Sequence, residues 1–303
     1  MAEPDPGGTT GQRVVDTLPW LDDLADKIQP VVQRAVARGG RRAKNVLDGL
    51  WLGTPLHPAL SDVPIGSWTA TLVFDGVELV SGSRLARDTA DGTLALGIAG
   101  GLAAATAGAS DWRYLSGGSR RMGLAHGLLN VAGLALNAAS MGYRIAGRRR
   151  AGQLLFLTGY SLNGMGAHLG GELSYWYGLR VNRNVFEKPG PDEFVPVMAE
   201  DELPEDGMRR VEADGVGILL AWTSDGRVRA ISATCNHFSG PLEEGEREGD
   251  VVVCPWHHSR FDLHSGEPLE GPAVFPQASY ETRVRDGNIE VRAAAGNAQK
   301  KVR

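Results

Sequence analysis

Three stretches without a charged side chain constrain the N-terminal half of this chain more than any other feature of its sequence. They contain 19, 22 and 21 residues, and they are Gly92–Ser110, Met122–Tyr143 and Ala151–Gly171. About 20 helical residues are needed to cross the hydrocarbon core of a bilayer, and abundant Gly and Ala suit closely packed membrane helices. A fourth apolar stretch, Leu56–Val80, is weaker because three acidic residues interrupt it. The pattern predicts four transmembrane helices, with a buried Ala- and Gly-rich soluble bundle as the alternative.

A shorter segment before the first predicted crossing has the spacing of an amphipathic helix. Apolar side chains recur at helical intervals over Trp20–Val36, and the basic sequence RGGRRAK follows. Such a helix can lie on an anionic membrane surface or pack on another part of the protein, and the sequence favours neither. The net charge of −5 gives no indication of a nucleic-acid partner.

Two short runs in the last third of the chain combine cysteine with histidine. CNH covers Cys235–His237 and CPWH covers Cys254–His257, with sixteen residues between the runs. They use both cysteines of the chain and two of its seven histidines. Two thiolates on one iron and two imidazoles on the other form one known type of [2Fe–2S] centre. A tetrahedral zinc site is the alternative for the same four ligand types.

The residues around the second run decide between these centres. The sequence CPWHHSRFDLHSGEPLEGPA resembles the Rieske family, and the resemblance extends over Phe194–Arg292. It implies an all-β domain of small antiparallel sheets in which Cys235 and Cys254 bind one iron while His237 and His257 bind the other. It also implies a set of residues around the cluster, namely Phe238, Pro255, Trp256, Ser259, Phe261 and Pro272.

The resemblance is to one branch of that family. Respiratory members carry an extra cysteine in each cluster loop, and here those positions are Gly240 and Trp256. Phe261 stands where respiratory members have a tyrosine that donates a hydrogen bond to a ligand sulfur, while Ser259 retains another donor. The loops therefore resemble Rieske ferredoxins and oxygenase-type centres of lower potential. His258 departs from the family, which usually has glycine after the second histidine ligand.

The N-terminal half resembles an uncharacterised family of four-helix membrane proteins, on the motifs LHPALSDVPIGSW and GGELSYWYGLRVNR. The expected fold class is therefore a multidomain α + β protein, a four-helix transmembrane bundle followed by an all-β domain. The expected boundaries are an N-terminal segment at 1–50, the membrane domain at 51–180, a linker at 181–193, the Rieske domain at 194–293 and a tail at 294–303.

Three histidines fall within the predicted crossings, and the predicted topology puts them at a similar membrane depth. Ligation of a b-type haem by His126 and His168, with His57 as an alternate ligand and Glu172 orienting His168, is one hypothesis. A different metal, held by the histidines with Asp62, Asp111 and Glu172, or a quinone site is a second hypothesis. A hydrogen-bonded network that only holds the helices together is the third.

These features predict a membrane-anchored carrier that passes single electrons between a redox partner and another carrier. A reductase, an oxygenase or a respiratory component could be that partner. The alternatives are a subunit of a membrane oxidoreductase and a redox-sensing or structural iron–sulfur protein, and whether the chain is an enzyme stays open. Basic residues are more numerous on the face that holds both chain ends, which predicts a multi-pass protein of a bacterial inner membrane with a cytoplasmic Rieske domain.

Overall fold

The computed structural model describes residues 8–294, so the first residues of the expected N-terminal segment and nearly all of the expected tail lie outside it. The described chain divides into two compact units. The helical unit comprises the residues up to Asp48 together with Pro55–Leu179, and the β unit comprises Gly49–Thr54 together with the residues from Arg180 onward.

The described part of the helical unit contains three short and four long α-helices. The short ones are α1 (Thr10–Asp16), α2 (Trp20–Arg38) and α3 (Gly40–Asp48), and the long ones are α4 (Leu56–Ser81), α5 (Arg84–Trp112), α6 (Gly117–Ile145) and α7 (Arg149–Tyr175). A left-handed glycine, Gly82 with φ 65°, ends α4, and the Ser83 side chain caps α5 by accepting a hydrogen bond from the Ala86 N–H.

The four expected long helices are present, but four membrane crossings are not established. Among residues 8–294, α5 and α6 are the helices long and apolar enough to cross a membrane by length and composition. The sequence of α4 contains Asp62, Asp75 and Glu78, and α7 begins at a pair of arginines and contains Glu172 near its end.

The long helices form two hairpins, because α4 packs mainly on α5 and α6 packs mainly on α7. The hairpins repeat the same contacts. His57 of α4 hydrogen-bonds the Ala104 carbonyl of α5, and His126 of α6 hydrogen-bonds the Gly166 carbonyl of α7. This correspondence defines a register between the two hairpins.

The register holds further along the helices. Trp68 is eleven residues after His57 and lies against Gly97, and Asn137 is eleven residues after His126 and lies against Gly159. Each of these glycines is seven residues before the residue whose carbonyl bonds the histidine. Eighteen residues after each histidine are Asp75 and Arg144, which form an ion pair with each other. The four long helices are therefore two copies of one helical hairpin.

The helical unit has polar groups inside and apolar groups outside. Its buried polar side chains include Thr71, Asp75, Asn137, Ser140, Arg144 and Asn163. Large apolar side chains are exposed on all four long helices, for example Val73, Leu96, Leu102, Val131, Leu154 and Met165. Soluble proteins rarely expose extended apolar surface of this kind.

Buried charges are balanced at the end of the hairpins where α4 and α6 terminate. The Arg144 guanidinium donates to both Asp75 oxygens and lies 2.9 Å from Asp91 Oδ1. Arg149 bridges Asp91 and Glu78. Arg87 also pairs with Glu78, so three guanidinium groups balance three carboxylates, and charges in an apolar environment are tolerated when paired.

The β unit consists of ten described strands in two antiparallel sheets. The strands are β1 (Val195–Ala199), β2 (Met208–Ala213), β3 (Val216–Trp222), β4 (Val228–Ser232), β5 (Glu246–Glu248), β6 (Val251–Val253), β7 (Arg260–Asp262), β8 (Pro268–Glu270), β9 (Ser279–Arg285) and β10 (Asn288–Ala293). One sheet has the order β1-β10-β9-β4-β3-β2 and the smaller one β5-β6-β7-β8. An apolar core that includes Leu219, Ile231, Val252 and Phe261 joins the two sheets, in keeping with the expected all-β domain.

Candidate functional site

Two loops with the same backbone turn carry the cysteines and histidines singled out in the sequence. The first loop follows β4, and the second joins β6 to β7. In each loop the cysteine N–H donates to the carbonyl five residues later, and the cysteine carbonyl accepts from the N–H four residues later. The residues at that fourth position, Ser239 and His258, both have left-handed backbones with φ of 61° and 59°.

This shared turn explains the departure at His258. The position after the second histidine needs a positive φ, which glycine adopts without steric cost. His258 adopts the same conformation with an exposed side chain, so the loop keeps its shape at the cost of backbone strain.

The two thiols lie together in the apolar core. Cys235 and Cys254 are each 1% exposed and form no disulfide. The Cys235 thiol donates a hydrogen bond to the Cys254 sulfur, which lowers the pKa of Cys254 to about 7. The same hydrogen bond, together with burial, raises the pKa of Cys235.

Backbone N–H groups converge on both sulfurs. His237 and Phe238 donate to Cys235 Sγ, and Trp256 and His257 donate to Cys254 Sγ. In each loop the donors are therefore among the residues just after the cysteine. Donors that converge on a thiolate stabilise its negative charge, so both loops are built to hold anionic sulfur.

The two imidazoles of the cluster loops lie next to each other. The rings of His237 and His257 have centres 5.1 Å apart and are nearly perpendicular, at 88°. Phe238 contacts both rings, with centre distances of 4.6 Å to His237 and 5.7 Å to His257. His237 is buried, whereas His257 is half-buried, so His257 is the more accessible of the pair.

The other residues expected around the cluster divide by exposure. Ser259, Phe261 and Pro272 are buried, Pro255 is half-buried and the Trp256 side chain is 53% exposed. The Ser259 hydroxyl accepts a hydrogen bond from the Ala273 N–H at 3.0 Å, and its own hydrogen remains able to donate. Trp256 therefore does not seal the site from water, and its ring lies over Gly240.

Gly240 has a steric reason for lacking a side chain. A Cβ at this position would lie 2.8 Å from Cys254 Sγ and 3.3 Å from the Trp256 ring. The first loop can approach the second cysteine this closely only through glycine.

Sequence reasoning missed the residues that fasten the first loop. The Asn236 amide donates to the Phe275 and Pro276 carbonyls. Asn184 donates to the Thr234 carbonyl at 2.7 Å, and the Arg183 N–H donates to the Asn236 carbonyl at 2.9 Å. Part of the expected linker, residues 181–193, is therefore bound to the first cluster loop. Asn236 lies inside the CNH run, but nothing in the sequence shows that its side chain fastens the loop, and no motif distinguishes Asn184 from other asparagines.

The four candidate ligands form one sulfur pair and one nitrogen pair. The two thiols are hydrogen-bonded to each other, and the two imidazole rings are neighbours. Two thiols and two imidazoles are also the ligand types of a tetrahedral zinc site. A pair of sulfurs beside a separate pair of imidazoles is the arrangement that suits a centre with two irons.

The structure brings together a different pair of bundle histidines from the one expected. His57 and His126 have ring centres 6.0 Å apart. Gly166 and Gly170 lie against Asn130 and His126 of α6, and His168, midway between them in sequence, points to the opposite side of α7. The His168 side chain is 64% exposed and contacts Glu172 at 3.2 Å.

Glu172 has a structural partner of its own. Its carboxylate accepts hydrogen bonds from the Thr9 hydroxyl and from the Gly11 N–H at the start of α1. It therefore anchors α1 on α7, as carboxylates commonly do at helix N-termini.

Two family models match the chain, and together they cover most of it. Residues 193–281 match the Rieske [2Fe-2S] domain. Residues 53–183 match a family described as a predicted membrane protein, DUF2231. Both resemblances noted in the sequence are thus confirmed.

Several small ferredoxins align with the β unit over nearly their whole length. Ferredoxin CarAc of Metapseudomonas resinovorans is 30% identical over 98 residues, which are 32% of this chain and 92% of that protein. The 3-phenylpropionate/cinnamic acid dioxygenase ferredoxin subunit of Photorhabdus laumondii is 35% identical over 96 residues, 31% of this chain and 90% of that protein. Among solved structures, the ferredoxin of carbazole 1,9a-dioxygenase from Nocardioides aromaticivorans has 29% identity and a TM-score of 0.32, over 33% of this chain and 98% of that chain.

Proposed function

Because the C-terminal part of this chain belongs to the Rieske [2Fe–2S] family, we propose that the protein is a membrane-anchored carrier of single electrons. The observation that carries the proposal is the pair of loops with the same turn, whose thiols are hydrogen-bonded to each other and whose imidazole rings have centres 5.1 Å apart. The DUF2231 match and the apolar exterior of the helical unit support the anchor.

Each candidate ligand has a role set by its surroundings. Cys235 and Cys254 would bind one iron, with their charge stabilised by the converging N–H groups, and His237 and His257 would bind the other. When bound, the [2Fe–2S] cluster supplies reversible one-electron chemistry. Phe238 holds both imidazoles in place, and half-buried His257 provides the edge that a partner protein can approach.

Two observations favour a carrier over a complete enzyme. Curated relatives that the β unit covers almost completely are named as ferredoxins. Exposed Trp256 and His258 flank His257 and provide a docking surface. We therefore expect a reductase as electron donor and an oxygenase-type or respiratory protein as acceptor, on the cytoplasmic side of a bacterial inner membrane.

The helical unit is proposed to lie in the bilayer because its polarity is the reverse of that of a soluble bundle. In each of α5 and α6, only 28% of an apolar segment of 18 residues is buried within the protein. A core helix of a soluble protein would bury most of that surface. The internal network of paired charges and amides is the arrangement that membrane helices require of their polar groups.

Haem ligation by His126 and His168 is not part of the proposal, since those two side chains diverge. An oxidoreductase subunit and a redox sensor remain as the alternative functions. Redox titration of the purified chain followed by EPR separates the carrier from the sensor. A carrier exchanges one electron reversibly with a soluble reductase or mediator, whereas a cluster that is destroyed on the first cycle would exclude carriage.

Membrane insertion can be tested with two substitutions on one helix. Leu102 lies in the middle of α5 and Leu85 in its first turn, and both are exposed. In a bilayer, Leu102→Arg costs about 2.5–3.5 kcal/mol while a charge near the interface costs much less. We expect Leu102→Arg, but not Leu85→Arg, to reduce the carbonate-resistant membrane fraction. Equal fractions for both variants, or a chain released by carbonate, would contradict the anchor.

A further inference from the structure

We propose that His57 and His126 form a binding site for a single copper ion, held as Cu⁺ within the helical unit. This site is formed by the two helical hairpins and does not depend on the Rieske cluster.

Backbone carbonyls fix the tautomer of each imidazole. His57 Nδ1 lies 2.8 Å from the Ala104 carbonyl oxygen, and His126 Nδ1 lies 2.7 Å from the Gly166 carbonyl oxygen. A carbonyl oxygen only accepts, so each Nδ1 carries the hydrogen and each Nε2 keeps a lone pair. Histidines that bind metals through Nε2 typically donate their other N–H in this way.

Each ring also rests on a glycine four residues beyond its carbonyl. A Cβ at Gly108 would lie 2.9 Å from His57 Cε1, and a Cβ at Gly170 would lie 3.0 Å from His126 Cε1. Both hairpins thus repeat a histidine, a carbonyl and a glycine in the same register. A general network of polar contacts would not require this repetition at two related positions.

The spacing of the rings suits one shared ion. Their centres are 6.0 Å apart and the planes are nearly perpendicular, at 86°. Bonds of about 2.0 Å from one ion to two opposed imidazole nitrogens give a similar separation. The helices are also closely packed near these rings, since a Cβ at Gly101 of α5 would lie 3.1 Å from the Leu134 side chain of α6.

The charge of the surroundings selects the ion. Within the described residues, no third His, Cys, Asp or Glu completes a metal-binding group here. Asn130 Nδ2 lies 3.4 Å from both ring nitrogens of His126, a position over the ring face, so it supplies no lone pair. Two neutral ligands do not offset the charge of a bound ion, so a divalent ion would bring two uncompensated charges into the bundle, which is costly. Copper binds imidazole tightly, and as Cu⁺ it brings a single charge.

The test is the copper content of the full chain purified in detergent from cells grown with added copper. We expect about one copper per chain in the unaltered protein and at least tenfold less in His57→Ala and in His126→Ala. His168→Ala is the matched control, since it removes an exposed histidine from the same bundle, and it should retain copper. X-ray absorption at the copper edge should show two nitrogen ligands.

Iron content and the EPR signal of the cluster report whether each variant is made and loaded elsewhere in the chain. If His57→Ala fails to accumulate, His57→Gln keeps a donor for the Ala104 carbonyl without a ring nitrogen and should lose copper as well. Three results would overturn the proposal: no copper in the unaltered chain, copper retained without His57 and His126, or haem absorption bands that depend on those histidines.

Discussion

The two units of this protein solve the problem of buried polarity in opposite ways. The helical unit places arginines, acids and asparagines inside and leaves Val, Leu and Met side chains outside. The β unit has an apolar core, and the two thiols are embedded in it among Leu242, Val252 and Phe261. The contrast supports the proposal that the helical unit lies in a bilayer while the β unit is surrounded by water.

Repetition also serves the two units differently. In the β unit, two loops repeat one turn so that a Cys–His pair from each reaches a common centre. In the helical unit, two hairpins repeat one packing pattern, and the related positions Asp75 and Arg144 neutralise each other. Pairwise symmetry thus builds a metal centre in one unit and a neutral interior in the other.

The largest expected effect lies at the closest approach of the two cluster loops. Gly240→Ala would place a Cβ 2.8 Å from Cys254 Sγ, and a ligand sulfur cannot move without losing its iron. We expect at least a tenfold loss of iron per chain, measured by metal analysis. Gly127→Ala in α6, where a Cβ has no neighbour within 4 Å, should keep full loading. A fully loaded Gly240→Ala protein would show that the loops are not packed around a cluster as described.

A buried ion pair in the helical unit and an exposed one in the β unit should differ several-fold in energy. Arg144→Ala leaves Asp75 buried without its main partner, which costs about 3–5 kcal/mol. Arg260→Ala breaks a pair with half-exposed Glu248, which costs under about 1 kcal/mol. Thermal unfolding in detergent, followed for helix and strand signals separately, measures both. Equal losses would mean that the interior of the helical unit is open to water.

The sequence predicted those parts that depend on residue type at fixed spacing. The cysteine and histidine runs, the β character of the last third and the four long helices all follow from such patterns. The choice of bundle histidines does not follow from such patterns. His168 is two residues from both Gly166 and Gly170, so it lies on the opposite side of α7 from these glycines. Which residue faces the neighbouring helix depends on packing that the sequence does not display.

The hairpin repeat was hidden for a related reason. Its histidines and some glycines match, but other related positions hold dissimilar residues, such as Trp68 with Asn137 and Asp75 with Arg144, so the repeat is difficult to recognise in the sequence. The anchoring of the first cluster loop by Asn184 and Asn236 was hidden because both contacts join segments far apart in the chain.

A smaller effect is expected from relieving backbone strain at Ser239 and His258, the left-handed positions of the two cluster loops. The left-handed conformation of His258 costs about 1–2 kcal/mol, and His258→Gly removes that cost. Glycine also gives the unfolded chain more conformational entropy, which offsets about 0.4–1 kcal/mol of the gain. A net gain of about 0.5–1 kcal/mol in the unfolding free energy of the β unit should result, with the cluster retained. Ser239→Gly in the other loop should give the same gain. A loss of stability in either variant would contradict the equivalence of the two turns.

The smallest expected effect concerns the packing of α2 on α6. A hydrogen bond from Arg121 lowers the pKa of Asp22 in the folded chain. An acid with a lowered folded pKa stabilises the fold above its unfolded pKa of about 3.9, and that contribution is lost as the pH falls toward the folded value. The difference in melting temperature between the unaltered chain and Asp22→Asn should be constant from about pH 7 to 5. Below about pH 4 this difference should decrease towards zero. A difference that widens on acidification would contradict this contact.

The most direct test of the account is the EPR spectrum of chemically reduced membranes that contain the full chain. The account predicts the low average g value of a histidine-ligated [2Fe–2S] cluster, with two irons per chain and the signal retained in the membrane fraction. It also predicts that the signal disappears in Cys254→Ser and persists in His258→Ala. A chain that carries one zinc and gives no such signal would contradict the proposed redox function.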